Sequence, residues 1–332
     1  MKKLFFLIVL YNISYSCFAI ELDFNHQVQQ VFNNIWYQGT GGIGSIELAS
    51  GKRFWLLSET FLDPDQPFRC QKQLVHNSLF IEDKVNNEWQ SVWQYQQFQK
   101  ERVLFSPPIE YEEKGKKKWY WLNTGCQLPN NEVVIFARMV ETTGSFQQIS
   151  KGDYLITHNV IIKIKNPDKP VEAWQIQTSL FPLILEKYVV STSIVQKDNS
   201  LYLFFISAND SHPNAILAKI NLQALSQLDN KNIFSFWSEQ QWKSLTELIS
   251  PDTIIEKTQA EQATFWHKDD SLFYHFWHET DNSGSQQLKS AASPLLEQPW
   301  VHHKEYTMAS SLLKDEVFLA YVTIQTMEKK AF

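Results

Sequence analysis

Apolar and β-branched runs in this chain come in pairs around short polar turns, and the paired pattern recurs five times. The copies span Ser45–Leu57, Cys126–Phe136, Ser193–Phe205, Thr264–Phe276 and Ser310–Tyr321. In each, a strand-like run passes through an Asn, Asp, Gly or Lys turn into a strongly aromatic, β-branched run, the signal of a β-hairpin. Successive copies lie roughly 45 to 80 residues apart, the length of one four-stranded propeller blade with outer loops of variable size. The pattern predicts an all-β fold, a five-bladed β-propeller of four-stranded antiparallel blades.

Third and fourth strands are expected after each hairpin. They read as His76–Ile81 and Glu88–Trp93 in blade one, and His158–Ile164 and Ala173–Ile176 in blade two. Blade three has Ala215–Ile220 and Phe234–Trp237; blade four has Gln287–Ala291 and Pro299–His302. A His-Asn pair opens the third strand twice, as His76-Asn77 and His158-Asn159, a second internal echo. Blade five has only its inner hairpin before the chain ends at Phe332. The N-terminal segment around Val28–Tyr37 is therefore expected to supply its outer strand and close the ring, leaving no exposed sheet edge. Gln241–Leu248 reads as one short helix before Ser250-Pro251.

Composition agrees with sheets packed face to face: aromatic residues make up 14%, with 12 Trp and 23 Phe, against 10 Gly. The net charge of −6 is spread without long runs. No basic stripe exists, so a nucleic-acid partner is not expected. The Glu112–Lys118 segment reads as a solvated loop. At the N-terminus, Met1-Lys2-Lys3 is a positive region, Leu4–Leu10 is apolar, and Cys17-Phe18-Ala19 has the form of a small-x-Ala cleavage site. Residues 1–19 thus read as a signal peptide and 20–332 as a single exported domain, periplasmic or extracellular. The apolar stretch is too short to span a membrane. Lipidation at Cys17 is the alternative, although Ser14 stands where such sites usually carry Leu. Export leaves Cys70 and Cys126, either bridged in an oxidising compartment or kept as two buried thiols. A monomer is expected.

Several motifs together resemble a known group. Phe54–Phe61, then Arg69, then Asn77-Ser78, resembles the Trp-Leu-Phe-Gly-Asp-Thr-Phe … Arg … Asn-Ser signature of secreted propellers of the domain of unknown function 4185 type. Tyr120–Gly125, Ser193–Val195 with Leu201–Phe204, Phe234–Trp237 with Trp242, and Ser293-Pro294 with Pro299-Trp300 follow in matching order. The resemblance spans nearly the whole mature chain. It implies kinship with five-bladed furanosidase- and fructosidase-like glycoside hydrolases, which cleave glycosidic bonds with carboxylates around a central funnel.

Propeller geometry locates the expected site independently. First-strand starts, second-strand ends and third-strand starts converge on one funnel. First strands place Thr40–Gly42, Asn123, Ser191 and Glu261 there. Second strands contribute Glu59, Arg138, Asn209-Asp210 and His278-Glu279, and third strands His76-Asn77 and His158-Asn159, with Arg69 in the preceding loop. Trp36, Trp121 and Trp266 lie nearby. Aromatic faces beside carboxylates and amides suit sugars, whose C–H faces stack while their hydroxyls hydrogen-bond. A glycan or small sugar is the expected ligand. Its candidate binding residues are Arg69, His76, Asn77, Trp121, Asn123, Arg138, His158, Asn159, Asp210 and His278.

Glycoside hydrolysis needs two carboxylates flanking the scissile bond. The resemblance implies an Asp at the start of the first inner strand, where this chain has Thr40-Gly41-Gly42, while the second blade starts with Asn123. Glu59 and Glu261 are the best remaining pair. The residues leave three readings open: a glycan-binding or glycan-processing propeller with an incomplete catalytic set, an active glycosidase using Glu59 and Glu261, and a non-enzymatic envelope scaffold. No cofactor or metal is expected. His275 and His278 point to opposite faces of one strand, and Thr40–Gly44 opens a strand rather than a phosphate-binding helix.

Overall fold

In the computed structural model, the described residues are 37–62, 73–85, 88–94, 105, 117–142, 154–208, 214–226, 233–255, 262–267, 272–280, 286–298, 300–307 and 322–323. They form four antiparallel sheets in chain order. Sheet one contains β1 (Tyr37–Glu47), β2 (Arg53–Leu62), β3 (Gln73–Val75), β4 (Ser78–Val85) and β5 (Glu88–Gln94). Sheet two contains β6 (Lys118–Gln127), β7 (Val133–Thr142), β8 (Tyr154–Ile164) and β9 (Ile176–Pro182). Sheet three contains β10 (Tyr188–Lys197), β11 (Ser200–Ser207), β12 (Ala215–Asn221), β13 (Phe234–Ser238), β14 (Gln241–Ser244) and β15 (Thr253–Ile255). Sheet four contains β16 (Gln262–His267), β17 (Leu272–Thr280), β18 (Gln286–Ser293) and β19 (Val301–Thr307). The last strand, β20 (Val322–Thr323), joins sheet one by parallel pairing with β1, Ile43 opposite Val322. The first strands β1, β6, β10 and β16 each lie against the next, and β20 lies against both β16 and β1.

Four of the five repeated hairpins are these sheets' inner pairs. The first two share one turn. Leu48 N–H donates to Lys52 O and Gly51 N–H to Leu48 O; Leu128 N–H donates to Glu132 O and Asn131 N–H to Leu128 O. Gly51 (φ 86°) and Asn131 (φ 66°) occupy the left-handed position. Glycine has no Cβ penalty there, and asparagine tolerates it better than most residues. The fifth hairpin, Ser310–Tyr321, lies outside the described residues, as do the signal segment and most of Val28–Tyr37.

Period-2 alternation on both faces builds three cores. Ile135, Ala137 and Met139 of β7 pack with Phe54 and Leu56 of β2. Their neighbours Val134 and Phe136 pack instead with Leu203 and Phe205 of β11. Tyr202, Phe204 and Ile206 on the other face of β11 meet Phe273, Ala291 and Trp300 of sheet four. A strand buried on both faces reads as a continuous apolar run, which is why the second run of each hairpin is so apolar.

One strand boundary and one element depart from expectation. The fourth strand of sheet two begins at Ile176, where it was expected to end, because Val171–Ala173 forms a single 3₁₀ turn. Gln241–Leu248 is not a helix. Trp237 pairs with Trp242 across a two-residue turn whose residues, Glu239 (φ 53°) and Gln240 (φ 60°), are both left-handed. That turn matches strand twist. The segment is a strand, Gln241–Ser244, followed by a turn over 245–247. Of the two mature cysteines, Cys126 is a free thiol buried among Leu128, Val134 and Phe136. Burial pushes that thiol up to about 12, so it stays protonated. Cys70 lies outside the described residues.

Sheets one and two approach so closely at their inner strands that glycine is required. A Cβ on Gly125 would run into the carbonyl of Val134 and sit 2.5 Å from Ile46 Cδ1. Gly125→Ala is therefore expected to destabilise the protein by about 1–3 kcal/mol through overpacking, measurable as a lower denaturant midpoint. A second prediction concerns His275, which is fully buried between sheets three and four near Phe204 and Trp300. Burial lowers its pKa from 6.5 to about 3. The unfolded chain takes up this proton below about pH 6.5 while the folded protein does not. Its effect is absent above that pH, and stability falls by up to about 1.4 kcal/mol per pH unit as pH drops towards 3. In His275→Leu, urea titrations between pH 6 and pH 4 should show a correspondingly shallower decline.

Candidate functional site

The mouth of sheet two is formed by the start of β6, the end of β7 and the start of β8, which lie side by side. Lys118 stands opposite Glu141, and Trp121 opposite Arg138. Thr142 stands opposite Tyr154, and Arg138 opposite Asn159. This is the convergence that the alternating strand directions require.

The two His-Asn echoes join the sheets together. Asn77 is fully buried; its Oδ1 accepts from Phe105 N–H at 2.8 Å, and its Nδ2 donates to Phe105 O at 2.9 Å and Tyr120 O at 3.2 Å. Asn159, also fully buried, repeats this one sheet further on. Its Oδ1 accepts from Val190 N–H at 2.8 Å, and its Nδ2 donates to Tyr188 O at 3.2 Å and Pro182 O at 3.4 Å. Each amide thus bonds backbone groups of the next sheet's first strand. A carboxamide suits this task because it presents a donor and an acceptor together.

Asn123 and Arg138 converge on the same peptide. Asn123 Nδ2 donates to Val190 O at 3.1 Å and Arg138 Nε donates to it at 2.7 Å. Asn123 is the extra residue of a bulge, between the pairs Leu122 opposite Ala137 and Thr124 opposite Phe136. Another irregularity separates Val190 from Ile194 on β10. Bulges re-aim side chains and interrupt the ladder, and here they bring a side chain of one sheet to a carbonyl of the next. Ser58 Oγ donates to Leu122 O at 2.5 Å across the first joint. The amides and guanidinium that the sequence offers as sugar ligands are thus engaged between sheets.

Other mouth residues form an aromatic row. His76 stacks on Trp119 with centroids 4.2 Å apart. Trp119 meets Trp121 edge-on at 6.4 Å, and Trp121 meets Tyr154 edge-on at 4.8 Å. Beside this row, Lys118 Nζ lies 3.3 Å from Glu141 Oε2. Lys118, expected at the end of a solvated loop, instead begins β6 with its side chain largely buried in that ion pair. His158 is half-buried; desolvation first, then the Lys118 charge, lowers its pKa, with Glu141 opposing. It is neutral at physiological pH. Glu141 and Tyr154 sit at a second-strand end and a third-strand start, so the strand-end rule could have found them. Which of these residues pair, Glu141 with Lys118 and Tyr154 with Trp121, needed the fold.

The remaining candidates are placed only in part. Glu59 lies in β2, opposite Gly41 of β1, and His278 lies in β17, opposite Leu288. Arg69, Asp210 and Glu261 lie outside the described residues. Among the described residues, no group of three or more His, Cys, Asp or Glu is placed to hold a metal ion. No helix there is long and apolar enough to cross a membrane. At the opposite end of the sheets, Arg53 and Glu82 form a buried cross-strand pair at 3.3 Å. Desolvation raises the Glu82 pKa, with its hydrogen bond to Trp55 and its pairing with Arg53 opposing. That carboxylate is far along the strands from the mouth and holds the sheet rather than a ligand.

If Asn159 joins sheets two and three, Asn159→Ala should cost about 1–3 kcal/mol of stability, since it leaves buried Val190 N–H and Tyr188 O without their partner. Chemical denaturation measures this directly. A residue serving only a ligand would leave the unfolding midpoint of the free protein unchanged.

Among solved structures, the chain is similar to a protein from Bacteroides ovatus provisionally described as a hydrolase, at 14% identity and a TM-score of 0.58, covering 84% of this chain and 74% of that one. It is also similar to an exo-β-1,3-galactanase from Clostridium thermocellum, at 13% identity and a TM-score of 0.43, covering 81% of this chain and 48% of that one. An α-L-arabinofuranosidase from Podospora anserina matches at 10% identity and a TM-score of 0.40, covering 81% of this chain and 69% of that one. At such identities the first likeness is one of fold. No curated protein matches. A family model does match, over residues 23–325, and it is not the domain of unknown function 4185 that the motifs resemble. The chain belongs to the family described as domain of unknown function (DUF5005).

Proposed function

We propose that this protein is an exported carbohydrate-binding or carbohydrate-processing β-propeller of five blades. The observation that carries the carbohydrate reading is the mouth of sheet two. There, half-buried Trp121 and Tyr154 lie at the same strand ends as the Lys118–Glu141 ion pair and neutral His158. Apolar ring faces close to a few fixed polar groups match the two-sided chemistry of a sugar. Five blades are supported by β20, which lies between β16 and β1 where the inner strand of a fifth blade would close the ring.

In this reading the catalytic set is incomplete. Asn123 is a bulge residue bonded to Val190 O, which fits a structural role at that position. Glu59 stands directly opposite Gly41, within the segment where the related hydrolases carry an Asp. The surviving acid is therefore the cross-strand neighbour of the missing one. If hydrolysis is retained, Glu59 acts as one carboxylate and Glu261 as the other.

The test is a glycan-array screen of the mature protein, with mass-spectrometric detection of products. Binding to at least one glycan is expected, and a protein that binds none is not carbohydrate-directed. Where cleavage is seen, Glu59→Gln should abolish it; unchanged turnover would remove Glu59 from the mechanism.

A further inference from the structure

We propose that Trp121 and Tyr154 form a stacking corner for one pyranose ring at the mouth of sheet two, an inference that rests on the carbohydrate reading above. The two rings meet at 77° with centroids 4.8 Å apart, so they stand as two nearly perpendicular apolar walls. Both are half-buried. Tyr120, Phe136, Phe204, Phe205 and Phe236, by contrast, are fully enclosed. Trp121 and Tyr154 keep exposed surface at the end of the sheet where the strands converge.

The corner is also held rigid. Trp119, which is 3% exposed, packs edge-on against Trp121 from the strand position two residues earlier, and His76 of sheet one stacks flat on Trp119. Four rings thus run in an unbroken row from sheet one to β8. A row fixed in advance loses little side-chain entropy when a ligand stacks on it, which favours binding.

The shape of the corner favours a six-membered ring. A chair pyranose presents several parallel C–H bonds on one face, which match the flat face of an indole, while its edge meets the second wall. The puckered five-membered furanose offers no comparable flat C–H face. The tyrosine ring is used here as a wall, so its hydroxyl is dispensable.

Titration calorimetry of the mature protein with xylo-, cello- and galacto-oligosaccharides, and with arabinan and fructan oligosaccharides, tests this. Binding to one of the pyranose series is expected. Trp121→Ala and Tyr154→Ala should each weaken it about tenfold, while Tyr154→Phe keeps it within about twofold of wild type. Melting curves of all three variants identify any loss that comes from unfolding. Tyr154→Ala, at a half-exposed position, provides the test if Trp121→Ala does not fold. If wild type binds a glycan and both alanine variants bind it equally well, the corner is wrong while the carbohydrate reading stands. Preference for the furanose series also overturns the corner. If wild type binds neither these glycans nor any on the array, the carbohydrate reading and the corner fall together.

Discussion

Three side chains of sheet two close on the backbone of one residue of sheet three, Val190, and the joint between the sheets depends on that grip. Asn159 accepts from Val190 N–H, while Asn123 and Arg138 both donate to Val190 O. Two bulges make it possible by taking Asn123 and the residues after Val190 out of regular pairing. In the enclosed joint, an unmade bond would leave a buried polar group stranded, at greater cost than the bond's net gain. The joint therefore locks in one geometry, and the side chains at the mouth inherit it.

Between these polar joints the sheets hold together by apolar contact on both faces. Phe136 faces sheet three and its neighbour Ile135 faces sheet one, so a single strand contributes to two cores. Gly125 shows how little room remains, with Ile46 and the Val134 carbonyl occupying the space of a Cβ. Such packing transmits position well because close-packed interiors do not deform gradually. It gives the row of His76, Trp119, Trp121 and Tyr154 a fixed spacing across two sheets.

The hairpins were legible because a turn and its flanking runs are neighbours in sequence. Their strand identities hold in four copies, down to the shared turn at Gly51 and Asn131. The helix expected at Gln241–Leu248 failed because periodicity in so short a segment cannot separate a helix from a strand plus a turn. Pairing of Trp242 with Trp237 decides it. The mouth was legible as a set of strand ends, and Trp121 and His158 were found there. The roles within it were not. Asn77, Asn123, Arg138 and Asn159 read as ligands for a sugar, and the structure engages all four between neighbouring segments.

Sequence alone determined the local rules: which runs are strands, where the tight turns fall, and which strand ends share one end of a sheet. Those follow from alternation and turn chemistry, which act over a few residues. Only the tertiary structure decided which polar side chains face a neighbouring sheet and which remain half-exposed at the mouth. Asn159 and His158 are adjacent in the chain, yet one is sealed against Val190 and the other stands half-buried near Lys118 and Glu141. The difference lies in what packs against each face of β8, which successive side chains on one strand cannot reveal.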